Sequence, residues 1–129
     1  MNETLVIARK KFIPDQSKTQ FRLRLNEGQS DEIVFTEAAL DLLKLNNKDV
    51  VMFSFCRAGN YGYIYKEEEL NNNYVIHKRP RQKGATIHNN GLTSFFRNTF
   101  IVKNERITHY ELTEIPDKKG RFKFTQKFI

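Results

Sequence analysis

A cluster of cations just past the middle of the chain is the most distinctive chemical feature of the sequence. Residues 77–84 have the sequence HKRPRQKG, with four cations at Lys78, Arg79, Arg81 and Lys83. Because Pro80 cannot donate a backbone hydrogen bond to a neighbouring strand, we expect this segment to be an exposed loop or an edge. Four cations on one loop can each neutralise a phosphate, which gives a salt-dependent affinity for a polyanion.

Two further pairs of cations alternate with apolar residues, as on a half-buried strand. Arg22 and Arg24 alternate with three apolar residues, and Arg121 and Lys123 alternate with two phenylalanines. Such alternation predicts that the cations face solvent while the apolar side chains face the core. Arg121 and Lys123 either extend a cationic binding surface or simply form the wet face of a strand.

The positive charge of the chain is concentrated in its second half. The net charge is +7, and the sequence pI is about 9.6. Residues 1–70 hold 10 Lys/Arg against 11 Asp/Glu, whereas residues 71–129 hold 12 against 4. This asymmetry favours attraction to a polyanion, although a basic surface can also serve only to keep a protein soluble.

Aromatic residues at alternate positions offer a second kind of contact. Tyr61, Tyr63 and Tyr65 share one face of a predicted strand. Aromatic rings in this arrangement can stack on unpaired bases, as in proteins that bind single strands. The alternative, which we favour from the sequence, is that the three rings form part of the core.

We find no catalytic or metal-binding pattern in the sequence. His77, His88 and His109 are spaced too widely for a compact zinc motif. Cys56 is the single cysteine, and no histidine in the adjoining sequence is placed to activate it. We therefore expect a protein that is not an enzyme and that carries no cofactor and no metal.

The sequence also predicts a location. A single cysteine cannot form an internal disulfide, as a secreted scaffold would need. The apolar run at 5–8 is too short for a signal peptide, and no apolar stretch is long enough to span a membrane. These features favour a cytoplasmic protein without membrane contact.

Alternation and capping signals predict a mostly-β chain with two short helices. Thr36 is a suitable N-cap for the first helix, Asn46 and Asn47 suit the left-handed turn after it, and the second helix starts near Asn90. The first helix is expected over 36–45. Strands are expected at 21–25, 32–35, 50–55, 61–65, 74–78, 85–88, 106–112 and 121–125.

The order of these elements recurs along the chain. Leu40 and Leu43 in the first helix align with Leu92 and Phe95 in the second at an offset of 52 residues. Two ββαββ units, in halves of about 1–70 and 71–129, would each be too small for a core of their own. We therefore expect one domain of the α+β class, mostly β, in which both units share a barrel-like core, although short elements can also recur by chance.

Residues 31–66 resemble the AbrB-like swapped-hairpin DNA-binding domains. The segment DEIVFTEAALDLLKLNNKDVVMFSFCRAGNYGYIYK contains a strand that ends at a helix cap, a short helix with paired leucines, a polar turn with Lys48 and Asp49, and a hairpin. The chain departs from the family pattern at Thr36, where a proline is usual, and in lacking a glycine after the helix. The resemblance extends over 21–66 and is weak in the second half.

The resemblance implies a fold and a partner. AbrB-like domains build their barrel as dimers, so a tandem copy would be a pseudo-dimer within one chain. They contact double-stranded DNA through basic residues on the first hairpin of each unit. In this sequence those positions are Arg22 and Arg24 in the first unit, and Lys78, Arg79, Arg81 and Lys83 in the second. The implied function is a small regulator of transcription that binds DNA.

A second function class fits the same charge distribution. The chain can instead be a protein-interaction module, such as an accessory protein of a phage or mobile element, that binds an acidic partner. Its acidic first half can also pair with the basic half of a neighbouring copy, which leaves a homo-oligomer open. Salt-dependent binding to nucleic acid would separate the two classes.

Overall fold

The computed structural model describes residues 14–25, 31–56, 60–67, 74–100 and 107–127. Within these ranges the chain forms seven strands and two short helices. In chain order they are β1 (Gln20–Arg24), β2 (Glu32–Phe35), α1 (Glu37–Leu43), β3 (Val50–Phe55), β4 (Tyr61–Glu67), β5 (Ala85–Ile87), α2 (Asn90–Thr99), β6 (Ile107–Leu112) and β7 (Phe122–Lys127). The predicted turn at 57–60 and the predicted surface connection at 67–73 lie mostly outside the described residues.

The seven strands form one antiparallel sheet in the order β3-β4-β7-β6-β1-β2-β5. Residues 74–78 connect the two edges of this sheet, because Val75 pairs with Val50 of β3 and His77 pairs with Thr86 of β5. The amide of Ile76 also donates to the Asp49 carbonyl oxygen at 2.8 Å. The sheet therefore curves into a barrel-like form, and the predicted mostly-β α+β fold is confirmed.

The pairing pattern is the same when the two halves of the chain are exchanged. We treat residues 74–78 as the first strand of the second half. Then β1 lies beside β6 just as residues 74–78 lie beside β3. The second strands, β2 and β5, pair with each other, and so do the last strands, β4 and β7. The topology therefore has a pseudo-twofold arrangement of two ββαββ units around one core.

Aromatic side chains fill the interior of the barrel. Phe21 of β1 stacks on Tyr110 of β6 with ring centroids 5.0 Å apart. Phe96 of α2 meets both Phe53 of β3 and Tyr110 at ring-centroid distances of 5.4 and 5.3 Å. Edge-to-face and stacked ring pairs of this kind add about 0.5–1.5 kcal/mol each beyond the area that they bury. The helix thus contacts both an edge strand and the central strand of the sheet.

The first helix begins where the sequence predicts and ends earlier. The Thr36 hydroxyl accepts a hydrogen bond from the Ala39 amide at 3.2 Å, as expected of an N-cap. The predicted end at Asn46 and Asn47 is wrong, because the left-handed residue is Lys44, with φ 55°. The amide of Leu45 donates to the Leu40 carbonyl oxygen at 2.9 Å, which completes a Schellman motif and buries Leu45 beside the helix.

The residues of α2 correspond to those of α1 at a sequence offset one residue larger than predicted. Asn89 is its N-cap and accepts from the Leu92 amide at 2.9 Å, as Thr36 does from Ala39. Aligning the caps gives an offset of 53 rather than 52 and matches the buried positions of the two helices. Phe96 is then the equivalent of Leu43 and is fully buried, whereas Phe95 is 48% exposed. The predicted equivalence of Leu43 with Phe95 is therefore wrong.

Within the described residues, no helix combines the length and the apolar character needed to cross a membrane.

Replacing Phe96 with alanine should destabilise the protein far more than replacing Phe95. Phe96→Ala removes a fully buried ring and is expected to cost about 3–5 kcal/mol. Phe95→Ala is expected to cost about 1 kcal/mol, because the ring is half exposed and packs mainly on Phe55. Urea unfolding of both variants measures the difference, and equal losses would contradict the assigned register of α2.

Candidate functional site

The cations of β1 lie on the outer surface of the barrel. Phe21 and Leu23 are buried, so the alternation of the strand turns Arg22 and Arg24 outward. Arg22 lies opposite Val34 of β2, which lies opposite Thr86 of β5. Residues directly opposite each other in an antiparallel pair share a face. The β1 arginines therefore share the outer face with β5.

The basic loop, residues 77–84, follows directly on this face because His77 is paired with Thr86. Inside the loop, the Gln82 amide donates to the Arg79 carbonyl oxygen at 3.3 Å. Pro80 occupies the second position of this turn, and Arg81 the third, with φ 68°. These are the features of a type II turn, in which glycine is preferred at the third position. The loop therefore holds Arg81 in a conformation that costs about 1–2 kcal/mol for a residue with a side chain.

Glu37 fixes both ends of the basic loop. Its Oε1 accepts a hydrogen bond from the Gly84 amide at 2.7 Å, and its Oε2 lies 3.7 Å from Lys78 Nζ. The Lys78 amide also donates to Asn47 Oδ1 at 2.9 Å. The backbone amide of Glu37 itself donates a hydrogen bond to Gln16 Oε1 at 2.9 Å. A residue in the first turn of α1 thus positions a loop from the other half of the chain.

These elements enclose a cavity of about 190 Å³, which we call the basic pocket. Its wall is formed by β1, β2, β5, the basic loop and the segment around Gln16. The charged and titratable residues that line it are Arg22, Arg24, Glu32, His77, Arg79 and Lys83. Four of the eight cations predicted from the sequence thus line one pocket. Lys78 and Arg81 lie on the same loop, although they do not line the pocket.

The pocket combines a compensated carboxylate with several cations. Glu32 is only 8% exposed, and its two oxygens lie 3.5 Å from Arg24 Nη1 and 3.5 Å from His88 Nε2. Burial lowers the pKa of Arg22, and the neighbouring charge of Arg24 lowers it further. Both effects disfavour the charged form of Arg22, and Glu32 only partly opposes them.

The cations of the basic loop are mostly without local compensation. In the part of the chain that the structure describes, no carboxylate lies within 4.0 Å of a side-chain nitrogen of Arg79, Arg81 or Lys83. All three residues are exposed. The pocket and its loop therefore present an excess of positive charge to solvent.

Arg121 and Lys123 lie in a different part of the outer face. Arg121 Nη2 is 2.8 Å from Asp117 Oδ2 within the turn that precedes β7. The Arg121 guanidinium also lies 4.6 Å from the Tyr63 ring centroid, and Lys123 Nζ lies 4.3 Å from the Tyr61 ring centroid. The structure does not place these two cations at the basic pocket. They contact tyrosines of β4 instead.

The favoured interpretation of the three tyrosines as core residues is wrong. Ile64 is fully buried on β4, so Tyr61, Tyr63 and Tyr65 alternate to the outer face. Gly62 leaves room on the inner face, where the Phe124 ring packs against its backbone. The stacking of unpaired bases on these rings stays a prediction.

Two carboxylates of the site escaped the sequence analysis. Glu32 alternates with Ile33 and so shares the face of Val34, a signal that was available from the pattern of β2. Its position opposite Arg24 follows from the register of the first hairpin. The role of Glu37 had no local signal, since its partners Lys78 and Gly84 lie more than forty residues away along the chain.

The histidines of this region lie close together without forming a metal site. The ring centroids of His77 and His88 are 6.4 Å apart. His88 Nε2 also lies 3.2 Å from Thr86 Oγ1. Across the described ranges, no three His, Cys, Asp or Glu residues are grouped so that they could hold a metal ion.

Gly84 should be essential for the geometry of the basic loop. It adopts φ 87°, and a Cβ atom there would overlap the carbonyl oxygen of Phe35. Gly84→Ala is therefore expected to cost about 2–3 kcal/mol. Gly120→Ala is the matched control, since φ is 78° but no atom lies within 4 Å, and it should cost only about 1 kcal/mol. Urea unfolding measures both, and equal losses would show that the overlap with Phe35 is unimportant.

Replacing Arg81 with glycine should relieve backbone strain. Because Arg81 has a positive φ, Arg81→Gly is expected to raise the free energy of unfolding by up to about 1 kcal/mol or leave it unchanged. Arg81→Ala removes the same charge but keeps the strain, so it should be the less stable variant. Thermal and urea unfolding compare the two, and a less stable glycine variant would contradict the strained turn.

Comparisons with known proteins identify no relative of this chain. No family model matches it. No curated protein and no solved structure shows significant similarity. The function must therefore be inferred from the geometry and charge of the basic pocket and its loop.

Proposed function

We propose that this protein binds nucleic acid through the basic pocket and the basic loop, as a small regulator that contacts DNA. The observation that carries the proposal is that Arg22, Arg24, Arg79 and Lys83, distant in sequence, line one pocket. Phosphates are the partners that such a group of cations fits best. The loop residues Lys78 and Arg81 extend the same surface.

The energetic cost of this arrangement supports a role in binding. Cations held close together repel one another, and the pocket adds the partial burial of Arg22. The turn also holds Arg81 in a left-handed conformation. Strained residues cluster at functional sites, where the surrounding structure holds them in place. A bound polyanion would reduce the repulsion and would pair with the exposed loop cations Arg79, Arg81 and Lys83.

The placement of the two first hairpins supports DNA as the polyanion. The resemblance of residues 21–66 to AbrB-like domains implies contacts from the first hairpin of each unit. In this chain β1 and β2 form one such hairpin, and residues 74–78 with β5 form the other. They are adjacent in the sheet because β2 pairs with β5. Phosphate contacts from both would set the register on a duplex, while arginines at the turn can contact base edges.

Ion pairs between the two halves weigh against the alternative of self-association through opposite charges. Glu37 pairs with Lys78, Asp31 with Arg97, and Glu32 with His88 when that histidine is protonated. Each pair joins an acid of the first half to a base of the second. These carboxylates are therefore already engaged within the chain and are poor partners for the basic half of another copy.

Binding of a random-sequence duplex at several salt concentrations tests the proposal. Fluorescence anisotropy should detect binding that weakens steeply as salt rises. Arg79→Ala combined with Arg81→Ala should reduce the slope of log K against log salt by roughly 2, because each lost phosphate contact lowers it by about 0.9. Lys118→Ala combined with Lys119→Ala is the charge-matched control and should leave the slope unchanged.

Two outcomes would overturn the proposed site. If the wild-type protein does not bind the duplex at low salt, the nucleic-acid function is wrong. If the two double variants weaken binding equally, total charge determines the affinity and the basic loop has no special part. Circular dichroism of each variant establishes that the fold is retained before binding is compared.

A further inference from the structure

We propose that the basic pocket binds the terminal phosphomonoester of a nucleic-acid strand. This inference rests on the proposed function and adds to it the part of the ligand that enters the pocket. It assigns the pocket and the exposed loop different tasks. Lys78 and Arg81, the loop cations outside the pocket, contact phosphates along the strand, and the pocket, which includes Arg79 and Lys83, holds the phosphate at its end.

The size of the pocket matches one compact group. Its volume of about 190 Å³ is well below the roughly 300–1,000 Å³ of pockets that enclose whole small-molecule ligands. It is also far larger than the space that a single water molecule needs. The pocket therefore has room for one group that projects from a larger molecule, rather than for a complete cofactor.

The donors of the pocket match a phosphomonoester better than an internal phosphate. Arg22, Arg24 and Arg79 offer planar guanidinium groups that can bind pairs of phosphate oxygens, and Lys83 adds an ammonium group. A monoester carries a charge of about −1.5 to −2 at neutral pH and presents three terminal oxygens. An internal phosphodiester carries a single charge and fewer free oxygens. The terminal phosphate of a strand therefore neutralises the cations of the pocket more completely than an internal phosphate does.

Partial burial strengthens the electrostatic attraction between a phosphate and the cations inside the pocket, relative to the cations on the exposed loop. The exposed fraction of Arg22 is intermediate, and its burial and the charge of Arg24 both lower its pKa. An anion beside Arg22 opposes both effects, and electrostatic attraction is less screened where water is partly excluded. Glu32 weakens this attraction without cancelling it, because the pocket is lined by four cations, Arg22, Arg24, Arg79 and Lys83, against this carboxylate.

The shape of the site also favours an end over the middle of a strand. The pocket is recessed between β1, β2, β5 and the basic loop. An internal phosphate continues into the strand through two ester bonds, so both neighbouring nucleotides would have to fit at the mouth of the recess. A terminal phosphate continues through only one. The polar lining residues Gln82 and Thr86 can add hydrogen bonds to its free oxygens.

The test compares single strands of one sequence that carry a 5′-phosphate, a 3′-phosphate or hydroxyls at both ends. We expect a phosphorylated end to tighten binding by about tenfold, as one additional set of charge-assisted hydrogen bonds would. A hydroxyl-ended strand two nucleotides longer controls for the added charge, because a terminal phosphate adds about two negative charges and each internal phosphate adds one, and it should bind as the shorter strand does. Arg79→Ala combined with Lys83→Ala should abolish the preference, whereas Lys118→Ala combined with Lys119→Ala should retain it.

The possible outcomes distinguish this inference from the proposed function. Measurable but equal binding of phosphorylated and hydroxyl-ended strands would overturn the end pocket and leave nucleic-acid binding intact. The end pocket is also wrong if the longer strand matches the phosphorylated one, or if the preference survives in the Arg79 and Lys83 variant. No binding of any strand at low salt would also overturn the end pocket, whereas the proposed function would be overturned only by the absence of duplex binding. Displacement by an equal concentration of a nucleoside monophosphate would assign the pocket to free nucleotides instead.

Discussion

The two bridges made by residues 74–78 are the constraint on which the rest of the structure depends. Val75 pairs with β3 and His77 with β5, so one short segment joins both edges of the sheet. Without it, β3 and β5 would each present unpaired backbone groups to solvent. The same segment leads directly into the basic loop. The same short segment therefore closes the barrel and places the cations of the second half near β1.

Contacts of two carboxylates, most of them between the halves of the chain, position the site. Glu37 binds the Gly84 amide and lies near Lys78, while Glu32 lies beside Arg24 and His88. A loop of like charges would otherwise spread to reduce repulsion. For the binding that we propose, a loop already held in place would lose less conformational entropy when the ligand binds. The two carboxylates thus position the cations of the surface through ion pairs and hydrogen bonds.

Local patterns predicted much of the fold and little of its assembly. Alternation located β2 and β3 at their observed bounds, and Thr36 marked the start of α1. Alternation fixes which residues share a face, but it does not say which face is buried, so the tyrosines of β4 were assigned to the wrong side. The end of α1 depends on burial of Leu45, a tertiary effect. The pocket depends on strand partners far apart in sequence, which no local pattern reveals.

The fold is pseudo-symmetric, whereas its charges are not. The basic loop connects the first two strands of the second unit, and its counterpart in the first unit is the connection at 25–31. That connection carries Glu27 and Asp31 and no lysine or arginine. A true twofold dimer presents identical hairpins and treats both directions along a duplex alike. Because the two units of this chain differ in charge, the proposed binding surface has a fixed polarity, and a strand that crossed it in one direction would meet different charges from a strand that crossed it in the other.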